Sequence, residues 1–146
     1  MIIRNATLND HQQILALYRE LADHSPQRVP SDDLAHWQNV IEHSVTTVVC
    51  AEIDGQIIAM VTLHILPNCS NDARPYALIE NVITAHAQRG NGIAGKLINQ
   101  AKQIAWDANA YKIMLLTDTA RSVEIFYRKM GFSSDEKTGM ILRNPA

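Results

Sequence analysis

The sequence predicts an α/β protein in which helices cover both faces of a central, mixed β-sheet. Residues 45–53 and 56–65 are runs rich in β-branched side chains, and Asp54-Gly55 between them is typical of a tight hairpin. Residues 76–84 form another apolar run of the length expected of a buried strand. A stretch with helical apolar spacing follows it, which favours a unit of strand, helix and strand. The 146 residues suffice for one domain.

Capping groups and apolar spacing predict the remaining elements. Polar residues at 7–10 and at 31–33 provide N-caps for two early helices, and the stretch between these helices, 24–30, contains two prolines and is expected to be a loop. The predicted order is β-α-α-β-β-β-α-β-α-β. The predicted strands are residues 2–5, 45–53, 56–65, 76–84, 111–117 and 139–143, and the two later helices are residues 92–108 and 122–130.

Composition excludes several classes of function. A formal net charge of -2 gives no reason to expect nucleic acid or an anionic membrane as a partner. No apolar run approaches the ~20 residues of a membrane span, and the first residues have no hydrophobic core of a signal peptide. Cys50 and Cys69 are far apart, and the six histidines show no paired ligand spacing, so we expect no metal site. A reduced, cytoplasmic protein is the expectation.

The most informative stretch is the glycine-rich turn, which we define as residues 89–96, Arg-Gly-Asn-Gly-Ile-Ala-Gly-Lys. Glycines at the start of a helix let backbone N–H groups close on an anion, where the helix dipole already favours negative charge. Arg89 and Lys96 add fixed positive charge on either side. The turn therefore predicts a phosphate-binding site.

Three phosphate-binding patterns can be compared with this turn. Gly90-x-Gly92-x-x-Gly95 fits the dinucleotide fingerprint, but that pattern requires its first glycine directly after a strand, and here a polar stretch intervenes. A Walker loop is excluded because no Gly-Lys-Ser/Thr follows. The third pattern, Gln/Arg-x-x-Gly-x-Gly/Ala, is met by Arg89, Gly92 and Ala94. A glycine-rich helix start that binds no ligand is the remaining alternative.

With this turn and a second motif, Phe-Tyr-Arg-Lys-Met-Gly-Phe at residues 126–132, the sequence resembles the GNAT (GCN5-related N-acetyltransferase) superfamily. The resemblance covers nearly the full chain. It implies one GNAT-type domain over residues 1–146 and acetyl-CoA as acyl donor, with the pyrophosphate bound by the turn. The resemblance assigns these residues to the coenzyme: Asn81, Val82, Ile83, Thr84, Arg89, Gly90, Asn91, Gly92, Ile93, Ala94, Gly95, Lys96, Thr117, Tyr127 and Lys129.

The resemblance also implies a reaction, the transfer of acetyl to a primary amine of a small molecule by direct attack on the thioester. Because an alkyl ammonium is almost fully protonated at pH 7, a base is useful, and Glu80 is the candidate. The alternative for Glu80 is a carboxylate that only forms an ion pair. The family's bulged strand places oxyanion donors near Asn81 and Val82, and its pantetheine arm would lie along residues 81–84 and 116–119. The family assigns protonation of the departing thiolate to Tyr127; the alternative is a core tyrosine.

Residues 78–84, 110–117 and 126–132 are similar to the glucosamine-phosphate N-acetyltransferase branch. That branch usually has Glu-Asp where this chain has Glu80-Asn81, and often has Asn where this chain has Ala120. The resemblance implies a homodimer whose subunits contribute to each other's acceptor pocket. Arg28 and Trp37 are candidates for contact with the acceptor, but a solvated loop for Arg28 and the core for Trp37 are the preferred alternatives. A sugar phosphate would need cations such as Arg28, Arg74 or Arg121, each of which is more commonly a solvated loop arginine. We expect a small amine to be preferred over glucosamine 6-phosphate.

Two other functions compete with this expectation. A catalytically silent module would keep the turn and bind acyl-CoA without transferring the acyl group. A nicotinamide-dependent oxidoreductase, with Asp118 as ribose ligand, would follow from the glycine pattern alone, but the chain has only one strand–helix–strand unit to support it.

Overall fold

The computed structural model describes residues 1–22, 31–118 and 120–144, which fall into two compact units. The first unit is Met1–Leu115 and the second is Leu116–Ala146. The predicted loop at 24–30 lies outside the described residues.

The first unit is built on a mixed sheet that has five strands among the described residues. The strands lie side by side in chain order; β1 to β4 are antiparallel to their neighbours, and β5 runs parallel to β4. The strands are β1 (Ile2–Asn5), β2 (Thr46–Ile53), β3 (Gln56–Leu66), β4 (Tyr76–Thr84) and β5 (Ile113–Leu115). The predicted mixed sheet and the predicted hairpin between β2 and β3 are confirmed.

The helices of the described residues are α1 (His11–Ala22), α2 (Leu34–Ile41), α3 (Ile93–Asp107) and α4 (Arg121–Lys129). The Asp33 carboxylate accepts a hydrogen bond from the Ala35 amide at 2.9 Å and so caps α2, as its sequence predicts. Each predicted helix is present.

Alternating side chains of the central strands divide the core into two layers. Val48, Cys50 and Met60 join Ile14 of α1 in one apolar cluster, and we call this side of the sheet the α1 face. Their neighbours in sequence, such as Val61, point to the opposite face and are fully buried. The third helix packs on β2, β3 and β4. Helices therefore cover both faces of the sheet.

The second unit contains α4 and the segment that follows it. Arg128 binds Glu124 one turn earlier at 3.0 Å, Ser134 at 2.6 Å and Asp135 at 2.9 Å. Because these groups are exposed, each pair contributes little alone, but together they hold the segment after α4 against the helix.

The strand predicted at 139–143 is wrong. Residues 132–144 contain no strand, and Met140 and Leu142 are 90% and 99% exposed. A strand needs a neighbouring backbone to receive its hydrogen bonds, and three consecutive apolar side chains do not provide one. The strand predicted at 111–117 is shorter in the structure, because only Ile113–Leu115 pairs with β4.

A partly buried cluster of ion pairs joins β1 to the start of α1. The guanidinium of Arg4 donates to both carboxylate oxygens of Asp10 at 2.8 Å and to Glu52 of β2 at 2.7 Å. The Asp10 side chain is 6% exposed. These bonds, chiefly those from Arg4 and also one from the Thr7 amide, lower the pKa of Asp10 to about 2.

We expect Asp10→Asn to lower the free energy of unfolding at pH 7 by about 2 kcal/mol, since the folded-state pKa lies below the ordinary value of 3.8. This contribution is complete above a pH of about 4 and is lost as pH falls through the folded pKa. Urea unfolding from pH 7 down to pH 2 measures it. A difference between wild type and variant that stays constant over that range would contradict the explanation.

Candidate active site

The glycine-rich turn adopts backbone conformations that glycine takes without strain. Gly90 has φ of +80° and Gly92 has φ of +71°. A Cβ at either position would meet no atom within 4 Å, so the requirement for glycine is conformational. Gly92 is also the N-cap residue of α3. The two glycines thus bring the chain into α3 without a side chain in front of the helix.

The amides of residues 90–95 donate no hydrogen bond within the described part of the chain. The Lys96 amide is the first to do so, to the Gly92 carbonyl at 3.3 Å. The Arg89 side chain folds back to the Thr84 carbonyl at 3.2 Å, and the Lys96 side chain is exposed. Unpaired N–H groups, the positive end of α3 and two cations together favour an anionic ligand.

A β-bulge interrupts β4 just before this turn. The register with β3 jumps from the pair Thr62–Glu80 to the pair Met60–Ile83, so Asn81 and Val82 oppose one residue of β3. Asn81 has φ of +51°, which asparagine tolerates better than most residues. A bulge leaves its extra residue outside the ladder, which makes backbone groups available to a ligand. The bulge that the family resemblance implies is therefore present at the implied residues.

The outer edge of β4 is only partly paired. Parallel pairing with β5 covers Ala77–Ile79, and residues 80–84 have no strand partner on that side within the sheet of the first unit. An extended ligand can add hydrogen bonds to such an edge. In the second unit Thr117 is exposed, and Thr119 lies outside the described residues.

Three polar side chains gather on the α1 face where the bulge begins. Glu80 is half-buried beside its cross-strand partner Thr62, and its carboxylate makes no hydrogen bond or ion pair within the described residues. Burial raises the pKa of Tyr18 of α1; the Thr62 hydroxyl lowers it and the charge of Glu80 raises it further, which places all three groups together. Sequence reasoning missed Tyr18 and Thr62 as site residues. A threonine inside the apolar run of β3 was the available signal.

A cavity of about 310 Å³ lies between α1 and α2, with mostly apolar walls. Trp37 is 8% exposed there, donates from Nε1 to the Thr7 carbonyl at 3.2 Å and stacks on His11. Trp37 therefore packs in the core and also lines the cavity. Tyr18 lies in the cavity wall and near Glu80. The described residues that line the cavity are His11, Ile14, Leu15, Tyr18, Ser31, His36, Trp37 and Val40.

Tyr127 lies on α4 in the second unit. Its ring contacts Phe126 and Phe132 edge-on, with centroid separations of 5.0 and 5.9 Å. Burial raises the pKa of Tyr127, so its phenol carries a proton at neutral pH. The hydroxyl has no hydrogen-bond partner in the described part of the chain, and Lys129 on the same helix is exposed.

Of the arginines considered for an acceptor phosphate, Arg74 has a structural role. Its guanidinium donates to the Asn109 and Ala110 carbonyls, both at 3.2 Å, just after the end of α3. Arg121 is exposed at the start of α4, and Arg28 lies outside the described residues. Among the described residues no group of three or more His, Cys, Asp or Glu side chains is placed to hold a metal ion. No helix of the described chain is long and apolar enough to cross a membrane.

Comparison with known proteins shows which family combines these features. The family model described as Acetyltransferase (GNAT) family matches residues 11–132, a range that contains the bulged strand, the glycine-rich turn and α4. The chain belongs to the acetyltransferase (GNAT) family. The resemblance noted from the two sequence motifs is confirmed.

Relatives of this GNAT protein include a curated glucosamine 6-phosphate N-acetyltransferase from Trypanosoma brucei brucei, 31% identical over 93 residues. That match covers 64% of this chain and 62% of the relative. A provisionally assigned acetyltransferase from Agrobacterium tumefaciens str. C58 is 35% identical, with a TM-score of 0.90, over 99% of this chain and 100% of that one. The structure of glucosamine-6-phosphate N-acetyltransferase from Arabidopsis thaliana has a TM-score of 0.83 at 18% identity over 99% and 98% of the two chains, which shows a common fold.

The unpaired amides of the turn lead to a test with a matched control. Acetyl-CoA should raise the thermal midpoint of the wild type, and Gly92→Asp should abolish this rise, since a carboxylate in front of α3 repels a pyrophosphate. Gly55→Asp is the control, because Gly55 has a similar φ of +79° and equally open surroundings in the β2–β3 turn. A full ligand-induced rise in Gly92→Asp would rule out the turn as the anion site.

Proposed function

We propose that this protein is an N-acetyltransferase that transfers an acetyl group from acetyl-CoA to the primary amine of a small molecule. One observation carries this proposal. In a GNAT protein, β4 has a bulge and an edge without a strand partner in its sheet, and six unpaired backbone amides follow at the start of α3. The edge of β4 offers hydrogen bonds to an extended pantetheine arm, and the amides of residues 90–95 suit its pyrophosphate. Other coenzyme contacts proposed from the family are Thr117, Tyr127 and Lys129.

Each reacting group has a proposed partner in the chain. Glu80 accepts a proton from the acceptor's ammonium, directly or through water, so that a neutral nitrogen attacks the acetyl carbonyl. Backbone N–H groups at Asn81 and Val82 donate to the oxyanion that forms there. The carbon–sulfur bond then breaks, and Tyr127 gives its proton to the departing thiolate. The extra proton on the amide nitrogen is lost, through water, to the tyrosinate, which restores Tyr127. The phenol of Tyr127 is protonated at neutral pH and therefore has a proton to give.

A thiol-release assay with acetyl-CoA tests the proposal across a panel of amines that includes amino sugars, polyamines and arylalkylamines. Glucosamine 6-phosphate belongs in the panel because a curated relative is named for it. Release of thiol together with an N-acetylated product supports the transferase. Binding of acetyl-CoA without product for any amine would favour the silent acyl-CoA-binding module instead.

Two variants separate the proposed acid from the proposed base. Tyr127→Phe removes one hydroxyl and should lower kcat by roughly 10²–10⁴-fold at all pH values between 7 and 9, typical of a lost general acid or base. Glu80→Gln should lower kcat at pH 7 but approach the wild type as pH rises towards the amine's own pKa near ~10.4, because the free amine then forms without a base. Rates of product formation at saturating substrates measure both.

Acetyl-CoA binding provides the control for both variants, since neither change should abolish the rise in thermal midpoint that the coenzyme produces. An unchanged kcat in Tyr127→Phe would exclude Tyr127 as the general acid and leave it a packing residue. A Glu80→Gln defect of the same size at every pH would exclude Glu80 as the base.

We also propose that the protein acts in the cytoplasm as a homodimer, without nucleic acid or membrane as partner. Cys50 and Cys69 are free thiols, which suits a reducing compartment. The homodimer follows from the resemblance to the glucosamine-phosphate branch. Light scattering at micromolar concentration should give the mass of two chains, and a monomer alone would refute this assembly.

A further inference from the structure

Thr62 is a buried polar residue that the core does not use. Its side chain lies on the α1 face of β3, where its neighbours in the same cluster of strands, Cys50 and Met60, are apolar. The residue is 3% exposed, and its Oγ1 makes no hydrogen bond within the described residues. A buried hydroxyl without a partner is unfavourable, and valine would fill the same space without that cost. Packing alone therefore does not explain the Thr62 hydroxyl.

Tyr18 connects this hydroxyl to two other features. Its ring packs against the apolar cluster of the α1 face, on which Thr62 and its cross-strand partner Glu80 also lie. Both groups change the pKa of the Tyr18 phenol, which agrees with this placement. Its ring also lines the cavity between α1 and α2. The Tyr18 side chain thus lies between the apolar cavity and the Glu80 carboxylate.

We propose that Tyr18 is a binding residue for the amine acceptor and that Thr62 is a positioning residue that orients the Tyr18 phenol beside Glu80. This proposal rests on the transferase function proposed above. Thr62 donates to the Tyr18 oxygen, which leaves the phenolic proton free to point at the acceptor, while Glu80 faces the amine. The cavity takes the carbon body of the acceptor.

The chemistry of the walls defines the class of acceptor. The described lining is mainly aliphatic and aromatic, with His11, His36 and Ser31 as its other members; it has no lysine or arginine, and the Glu80 carboxylate lies beside Tyr18. Such a site suits a primary amine with an apolar body better than a phosphorylated sugar. 2-Phenylethylamine is a suitable probe, with glucosamine 6-phosphate as its counterpart.

The test is the KM for 2-phenylethylamine in Tyr18→Phe and Thr62→Val. Each variant should raise the acceptor KM roughly 3–10-fold, the worth of one hydrogen bond, and leave the KM for acetyl-CoA unchanged. Thr62→Ser, which keeps the hydroxyl, should behave as the wild type. In the Tyr18→Phe background, Thr62→Val should not raise the acceptor KM further, because Thr62 acts through the Tyr18 phenol. Tyr111→Phe, the same change at a tyrosine beside Lys112, is the control and should have no effect.

A spectroscopic measurement is independent of turnover. Since the Thr62 hydroxyl lowers the pKa of Tyr18, Thr62→Val should move one tyrosinate absorbance transition to higher pH, and Tyr18→Phe should remove that transition. An unchanged transition, or a Thr62→Val effect on KM that persists in Tyr18→Phe, would overturn the positioning role.

Calorimetry with 2-phenylethylamine separates this inference from the proposed function. Binding that weakens 3–10-fold in Tyr18→Phe, without any acetylated product, would support the acceptor site and refute the transferase. Product formed with the same acceptor KM in wild type and Tyr18→Phe would refute the site and leave the transferase standing. A higher kcat/KM for glucosamine 6-phosphate than for 2-phenylethylamine would overturn the apolar class.

Discussion

The bulge in β4 is the constraint on which the rest of the site depends. Two residues opposite one force the strand to bend and take one residue out of the ladder. The positive φ of Asn81 shows that the bend is built into the backbone at that residue. Parallel pairing with β5 covers Ala77–Ile79, and within the sheet of the first unit the same side of β4 has no strand partner from residue 80 onwards. The bulge adds unpaired backbone at Asn81 and Val82, where the proposed transferase would hold its acyl group.

The bulge also sets what lies on each side of the sheet. A one-residue slip reverses the faces of all the following side chains. Glu80 lies just before the slip and faces Thr62 and α1, and Ile83 lies just after it and returns to the apolar cluster of the same face. The carboxylate is therefore held at the margin of the core, half-buried, close to the unpaired backbone of Asn81 and Val82. Glu80, the proposed base, and Ile83, a packing residue, share one face of β4 because the bulge adds one residue between them.

Local patterns predicted much of this architecture because their causes are local. The Asp54-Gly55 turn, the apolar stripe of α3 and the glycines at 90 and 92 each depend on the conformations of a few neighbouring residues. The false strand at 139–143 shows the opposite case, since pairing depends on a distant backbone that three apolar residues do not specify. The sequence does not predict Tyr18 as a site residue. The position of Tyr18 next to Glu80 depends on how α1 crosses the sheet. The spacing of apolar residues within the helix does not predict that crossing.

A stability argument distinguishes the site from the scaffold around it. The Arg4–Asp10–Glu52 cluster is fully hydrogen-bonded, as buried charges must be if they are to stabilise a fold. Thr62 and Glu80 have no such hydrogen-bond or ion-pair partner in the part of the chain that the structure describes, and an unpaired buried hydroxyl alone costs about 1–3 kcal/mol. A chain selected only for folding would replace it with an apolar residue of the same shape. These polar groups lie at one margin of the core, next to the bulge. The proposed site explains them better than packing does, since in it Thr62 orients Tyr18 and Glu80 faces a ligand.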